Sequence, residues 1–173
     1  MIKPAMLALL LLPALVCQAA PGRDPSVHFF NQSLGDFGEE LQVARDEGKS
    51  GILIFFEMDE CPFCHRMKQT VLNQPEVQDY FREHFLIFPV DIEGDVEIVD
   101  FQGNTRSMKD WAFKEYRVRA TPVFAFFDLQ GQLLTRYIGA TTDADEFMLL
   151  GRYVVEGAYK DQSFTRYKRQ QAN

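Results

Sequence analysis

Residues 51–56, Gly-Ile-Leu-Ile-Phe-Phe, are apolar without a break, bounded by Lys49-Ser50 on one side and by Glu57 to Glu60 on the other. A run this short and rich in β-branched and aromatic residues reads as a strand buried on both faces, the signature of a central sheet. Residues 123–127, Val-Phe-Ala-Phe-Phe, repeat the pattern. Of the 173 residues, 46% are hydrophobic and 25% are charged, a globular balance that supports a packed core on the scale of one domain. A formal net charge of −7 gives no general attraction for phosphate backbones, so nucleic acid is not an expected partner.

The first twenty residues stand apart. Lys3 supplies a positive start, an apolar stretch follows that only Pro13 interrupts, and Cys17-Gln18-Ala19-Ala20 offers small residues for cleavage near Ala19 or Ala20. This is the pattern of a secretory signal peptide, too short for a spanning helix, so no stable membrane insertion is expected after cleavage. A lipid-attachment reading at Cys17 meets Val16 where a small residue is wanted. The expected location is periplasmic or otherwise exported. Residues 21–32 then read as a linker, 33–160 as the folded domain and 161–173 as a frayed tail carrying Arg166, Lys168 and Arg169.

Beyond the leader only Cys61 and Cys64 remain, separated by Pro62 and Phe63. A disulfide closing so short a loop stabilises by only about 2 kcal/mol in the chain-entropy model, against nearly 5 for a loop of about 100 residues. The spacing therefore suits chemistry better than stapling. Pro62 favours a first helical position, and Phe63, Met67 and Val71 give the following helix an apolar stripe ending before Asn73-Gln74-Pro75. Cys61 thus falls at a helix N-terminus straight after a buried strand. Free backbone N–H groups and the helix dipole stabilise a thiolate there. Cys64 lies one turn further in and is more shielded, so Cys61 is the expected nucleophile and Cys64 the thiol that resolves the mixed disulfide. His65, four residues after Cys61, either adds positive charge near the thiolate or is a solvated surface histidine.

The remaining pattern fills out one domain. Asp36 or Gly35 starts a helix with Phe37, Leu41 and Ala44 on one face, ending near Gly48. Pro75 opens another through residue 85, with His84 a packed histidine rather than a metal ligand. Residues 86–92 read as a strand that Pro89 confines to an edge or a bulge. Residues 93–106 form a turn-rich insertion with a small hairpin, and Ser107 with Asp110 caps a short helix holding Trp111 in the core. A turn at 129–132 joins the strand 123–127 to a second one, and Asp143 starts a helix carrying Phe147, Leu150 and Val154.

A strand, Cys-Pro-Phe-Cys at a helix start, then Thr121-Pro122 before a strand, a hairpin and a final helix resembles the thioredoxin superfamily over residues 33–160. The resemblance implies a thioredoxin-like fold, a central mixed sheet flanked by helices, with 93–106 a short insertion before a cis-proline segment. It implies a cis Thr121-Pro122 bond beside the cysteine pair, with the backbone of Thr121 binding a partner segment, and assigns Phe63, Thr121 and Pro122 to substrate binding. More narrowly, Phe56-Glu57, Cys-Pro-Phe-Cys, the Val90-Asp91-Ile92 strand end and Arg117-Val118-Arg119-Ala120-Thr121-Pro122 resemble exported bacterial thioredoxin-like proteins of the SoxW type. Two positions depart from the superfamily pattern: Glu60 stands where cytoplasmic thioredoxins carry tryptophan, and Phe55 where they bury an aspartate that moves the resolving thiol's proton. Glu57 is the nearest replacement for that base, with Asp59 and Glu60 competing; equally, all three form a solvated acidic turn whose charge opposes thiolate formation.

The expected activity is thiol–disulfide exchange on exported proteins that carry disulfides, as a reductase supplied by a membrane thiol-electron donor, with no cofactor and no metal. Oxidase or isomerase action by the same couple is the alternative, since the Pro-Phe dipeptide resembles those of glutaredoxins and periplasmic oxidants. From another class, Cys61-Pro62-Phe63-Cys64-His65 matches the Cys-x-x-Cys-His of c-type haem attachment, against which the flanking strands argue. A structural zinc site lacks a second Cys-x-x-Cys, and His28, His65 and His84 are scattered.

Overall fold

The computed structural model of the chain describes residues 21–171. The leader reading therefore lies outside the described residues. Among those described, no helix is long and apolar enough to cross a membrane.

The elements run α1 (Pro25–His28), α2 (Phe37–Asp46), β1 (Gly51–Glu57), α3 (Pro62–Thr70), α4 (Pro75–His84), β2 (Phe85–Asp91), β3 (Glu97–Val99), β4 (Thr105–Ser107), α5 (Met108–Asp110), β5 (Val123–Phe127), β6 (Leu133–Ile138), α6 (Ala144–Val155) and α7 (Phe164–Gln171). A π-helical turn, Trp111–Glu115, continues α5. Four strands form the central sheet in the order β2-β1-β5-β6, β1 parallel to β2 and antiparallel to β5. The sheet is mixed, with helices over both faces. This is the mixed α/β arrangement expected, a central sheet flanked by helices.

Alternation along β1 divides the core in two. Leu53 and Phe55 face a cluster built with α3, α4 and α6, which includes Cys61, Cys64, Met67, Phe81, Phe124 and Phe147. Ile52, Ile54 and Phe56 face a second cluster with Phe37, Trp111, Val118 and Phe127. Both faces of β1 are therefore dry from Gly51 to Phe56. Gly51 has no room for a side chain: a Cβ there would lie 1.9 Å from the Phe127 carbonyl oxygen. Pro89 sits in β2, the sheet's edge strand, where a missing N–H costs no interior ladder bond. The hairpin β3–β4 is antiparallel and lies within the turn-rich stretch 93–106 and the residue that follows it.

Three assignments differ from expectation. Residues 21–32 are not a linker. Asp24 caps α1 through the Ser26 N–H, and Phe29 and Phe30 are buried against Phe81, Phe147 and Phe55. Asn31 binds the edge of β2 twice, its N–H to the Ile87 carbonyl and its Oδ1 to the Ile87 N–H. Residues 161–173 are not a frayed tail as far as Gln171. Phe164 and Tyr167 pack on Tyr153, the Tyr167 hydroxyl donates to Glu156 at 2.7 Å, and Lys168 pairs with Glu146 at 2.5 Å. Burial and the Glu156 carboxylate push the Tyr167 hydroxyl up to about 12. The apolar stripe expected for α3 also shifts. Met67 and Val71 are buried, but Cys64 takes the inward position and Phe63 is 61% exposed.

Candidate functional site

Cys61 occupies the N-cap of α3, and its sulfur accepts a hydrogen bond from the Cys64 N–H at 3.0 Å. Pro62 at the first helical position needs no donor and presets the backbone for the turn. Cys61 and Cys64 form a disulfide, with Cα atoms 5.2 Å apart. Both residues are almost fully covered, at 2% and 1% exposure, whereas Phe63 between them projects into solvent. The helix thus presents one exposed aromatic edge beside a disulfide set at its positive end.

Strand pairing brings a second segment to the same end of the sheet. Phe56, five residues before Cys61, pairs with Val123, and Val123 pairs with Ile138 on β6. Thr121-Pro122 directly precedes that row, and its peptide bond is cis. The Pro122 carbonyl accepts from the Gly139 N–H at 2.9 Å, and the Thr121 hydroxyl is buried without a hydrogen-bond partner. Ile138, 63% exposed, extends the apolar surface at this end. Sequence reading passed over it, because an isoleucine closing a strand looks like core. Phe113, 52% exposed, lies under the Arg119 guanidinium at 5.4 Å, in the segment leading into Thr121.

The charged residues take separate positions. His65 is exposed and donates from Nε2 to the Asp59 carbonyl at 2.9 Å, so its ring folds back over the loop before Cys61. The same carbonyl accepts from the Cys61 N–H. Asp59 and Glu60 are exposed. Glu57 is mostly covered and pairs with Lys68 at 2.5 Å. Phe55 fills the position under the helix with its ring 4.9 Å from Phe124 and 5.7 Å from Phe30. Lys68 was missed by sequence reading. The signals were Cys64 and Lys68 at i, i+4 on one side of α3, and Glu57 following Phe55 on the same face of β1.

Among the described residues, no group of three or more His, Cys, Asp or Glu converges as a metal site. With Cys61 and Cys64 joined to each other, neither sulfur is free for the thioether bonds of a c-type haem, and His65 is engaged with the preceding loop.

Comparison with known proteins places this geometry. No curated protein matches the sequence. A thioredoxin-fold protein from Helicobacter pylori superposes with a TM-score of 0.60 at 23% identity, over 73% of this chain and 86% of its own. A thioredoxin from Thermus thermophilus superposes at 0.55 with 26% identity, over 76% and 95%. The oxidised DsbD C-terminal domain of Neisseria meningitidis gives 0.52 at 19% identity, over 75% and 98%. The thioredoxin-like domain family matches residues 37–154, the stretch that holds the cysteine pair, the cis-proline segment and all six strands, and the chain belongs to that family.

Proposed function

We propose that this chain is an exported thiol–disulfide oxidoreductase that reduces disulfides in exported proteins, akin to the SoxW type. The observation that carries the reading is the Cys61–Cys64 disulfide at the N-terminus of α3, beside a cis-proline segment and an exposed Phe63. In the dithiol state the Cys61 thiolate, favoured by the helix end, attacks a partner's disulfide. One partner sulfur leaves as a thiolate and takes a proton from water, and the other remains bound to Cys61. The Cys64 thiolate then attacks the Cys61 sulfur, releases the second partner thiolate and regenerates the disulfide. Two electrons pass from the dithiol to the partner, so a membrane thiol donor must restore the dithiol. Phe63, Thr121 and Pro122 form the surface on which the partner segment lies. Glu57 is the carboxylate available to exchange the Cys64 proton, and His65 bears on the loop that holds Cys61.

Direction is tested by equilibrating the protein with defined thiol–disulfide buffers and trapping free thiols. A reductase is expected to show a potential near or below about −250 mV; a value above about −180 mV would assign oxidase or isomerase action instead. The order of attack has its own test. Cys64→Ser removes the resolving sulfur, so mixed disulfides with Cys61 are expected to accumulate and to dissolve on adding reductant. Non-reducing electrophoresis that shows no adducts in the presence of a disulfide-bearing protein would exclude the resolving role.

A further inference from the structure

We propose that the cavity between residues 22–35 and the outer edge of β2 binds an uncharged small molecule, with an aromatic or branched apolar body and one N–H or O–H donor. Neither cysteine lines the site, and binding there is independent of the exchange reaction.

The cavity measures about 760 Å³, within the range of small-molecule sites. Phe30, Phe37, Phe88, Pro89, Ile98 and Met108 supply its apolar surface. Phe30, Phe37, Phe88 and Ile98 are buried, so packing fixes most of that surface. The opposite wall is tied down as well. The Arg23 N–H donates to the Asn73 carbonyl at 2.8 Å, Asp24 caps α1, and Asn31 joins Ile87 through two hydrogen bonds. Residues 22–35, which carry this wall, precede the stretch 37–154 shared with the thioredoxin-like domain family. Leu34, between Ser33 and Gly35 on the rim, is fully exposed, so the mouth has apolar surface that the chain leaves uncovered.

The charges on the wall decide the class of ligand. They are Arg23, Asp24, Glu57 and Lys68, two of each sign. Each already has a partner. Arg23 meets Asp79 at 2.6 Å, Asp24 accepts from the Ser26 N–H and hydroxyl, and Lys68 meets Glu57 at 2.5 Å. A charged ligand would have to break one of these arrangements or bring its own charge unanswered against aromatic rings.

The polar contacts on offer are mainly acceptors. Asn31 takes both backbone groups of Ile87 on the outer edge of β2. Pro89, two residues on and so on the same edge, has no N–H and leaves its carbonyl as an acceptor. The Glu57 carboxylate adds another, while the Lys68 ammonium lies 5.7 Å from the Phe30 ring centroid. A ligand donor thus finds oxygen, and an apolar body finds rings.

The test uses the full chain and two fluorescent probes of one skeleton. Phenylnaphthylamine is uncharged and carries a single N–H; anilinonaphthalene sulfonate adds a negative charge. The uncharged probe is expected to bind one site with a dissociation constant of about 1–10 μM, and the sulfonate about tenfold more weakly. Glu57→Gln keeps an acceptor oxygen but leaves Lys68 unpaired, so it should tighten the sulfonate severalfold and change the uncharged probe by less than about twofold. Met108→Trp fills the cavity and Ser33→Trp narrows its mouth, and each should weaken the uncharged probe by about tenfold or more. Circular dichroism reports folding, and because Ser33 is exposed its variant carries the comparison if Met108→Trp does not fold. Absence of saturable binding, equal affinity for the two probes, or binding insensitive to both tryptophans would overturn the proposal. So would binding that persists in both tryptophan variants and disappears in Phe63→Ser, which would place the probe beside the cysteines. Failure of the chain to reduce disulfides would remove the oxidoreductase reading and leave these titrations standing.

Discussion

Cys61→Ser is expected to fold normally and to lose disulfide reduction to background, a drop of more than about a thousandfold, the scale seen when the nucleophile of a covalent mechanism is removed. Structurally, the Cys61 sulfur serves as N-cap acceptor for the Cys64 N–H, and serine is among the strongest N-caps, so that role survives. The disulfide is lost, but closing so short a loop contributes only about 2 kcal/mol, and nothing under reducing conditions. Thermal unfolding in reductant should therefore be nearly that of the parent. Chemically, a serine hydroxyl cannot form the mixed disulfide through which both electrons pass. Reduction of insulin or another protein disulfide, measured with a supplied dithiol, checks the result. Retained activity in Cys61→Ser would mean that exchange does not begin at Cys61.

That prediction was within reach of the sequence because the constraints on Cys61 are local. An apolar strand, a short acidic turn and a proline after the cysteine fix a helix start without information from elsewhere. The same holds for β5 and for the edge position of β2, which Pro89 signals. What escaped depends on contacts between distant segments. Phe29 and Phe30 looked like linker residues since α1 is only four residues long, yet they close the core from the outside of β2. Phe164 and Tyr167 gave only two apolar positions in a basic segment, and their packing depends on Tyr153 from α6. Phe63 fits an i, i+4 stripe with Met67, but the helix has one inward position per turn, and Cys64 occupies it. Lys68 escaped for the opposite reason: a lysine on an amphipathic helix is usually solvated, and only the alternation of β1 brings Glu57 under it.

The two-sided core also separates stability from redox chemistry, and Trp111→Ala makes that separation measurable. Trp111 is fully buried and stacks on Phe37 with ring centroids 4.9 Å apart, with Tyr116 edge-on at 5.2 Å and Phe101 at 5.6 Å. It begins the π-helical turn, after which the Val118 N–H returns to the Ala112 carbonyl and the chain reaches Thr121-Pro122. Truncating it leaves a cavity among aromatic rings that cannot collapse into the space, at a cost of about 3–5 kcal/mol. That is a large share of the 5–15 kcal/mol typical of a domain. The indole N–H has no hydrogen-bond partner, so Trp111→Phe forfeits only volume and should cost clearly less. Urea unfolding followed by circular dichroism reads both variants, and a loss below about 1 kcal/mol for Trp111→Ala would show that the second cluster does not anchor the fold. Cys61 and Cys64 lie in the other cluster, across the sheet from Trp111. The reduction potential of Trp111→Phe should therefore match the parent, while its rate with protein disulfides falls if, as proposed, a partner segment lies on Thr121 and Pro122, because the segment leading to them has lost part of its support. A changed potential would mean that the sheet transmits packing from one face to the chemistry on the other.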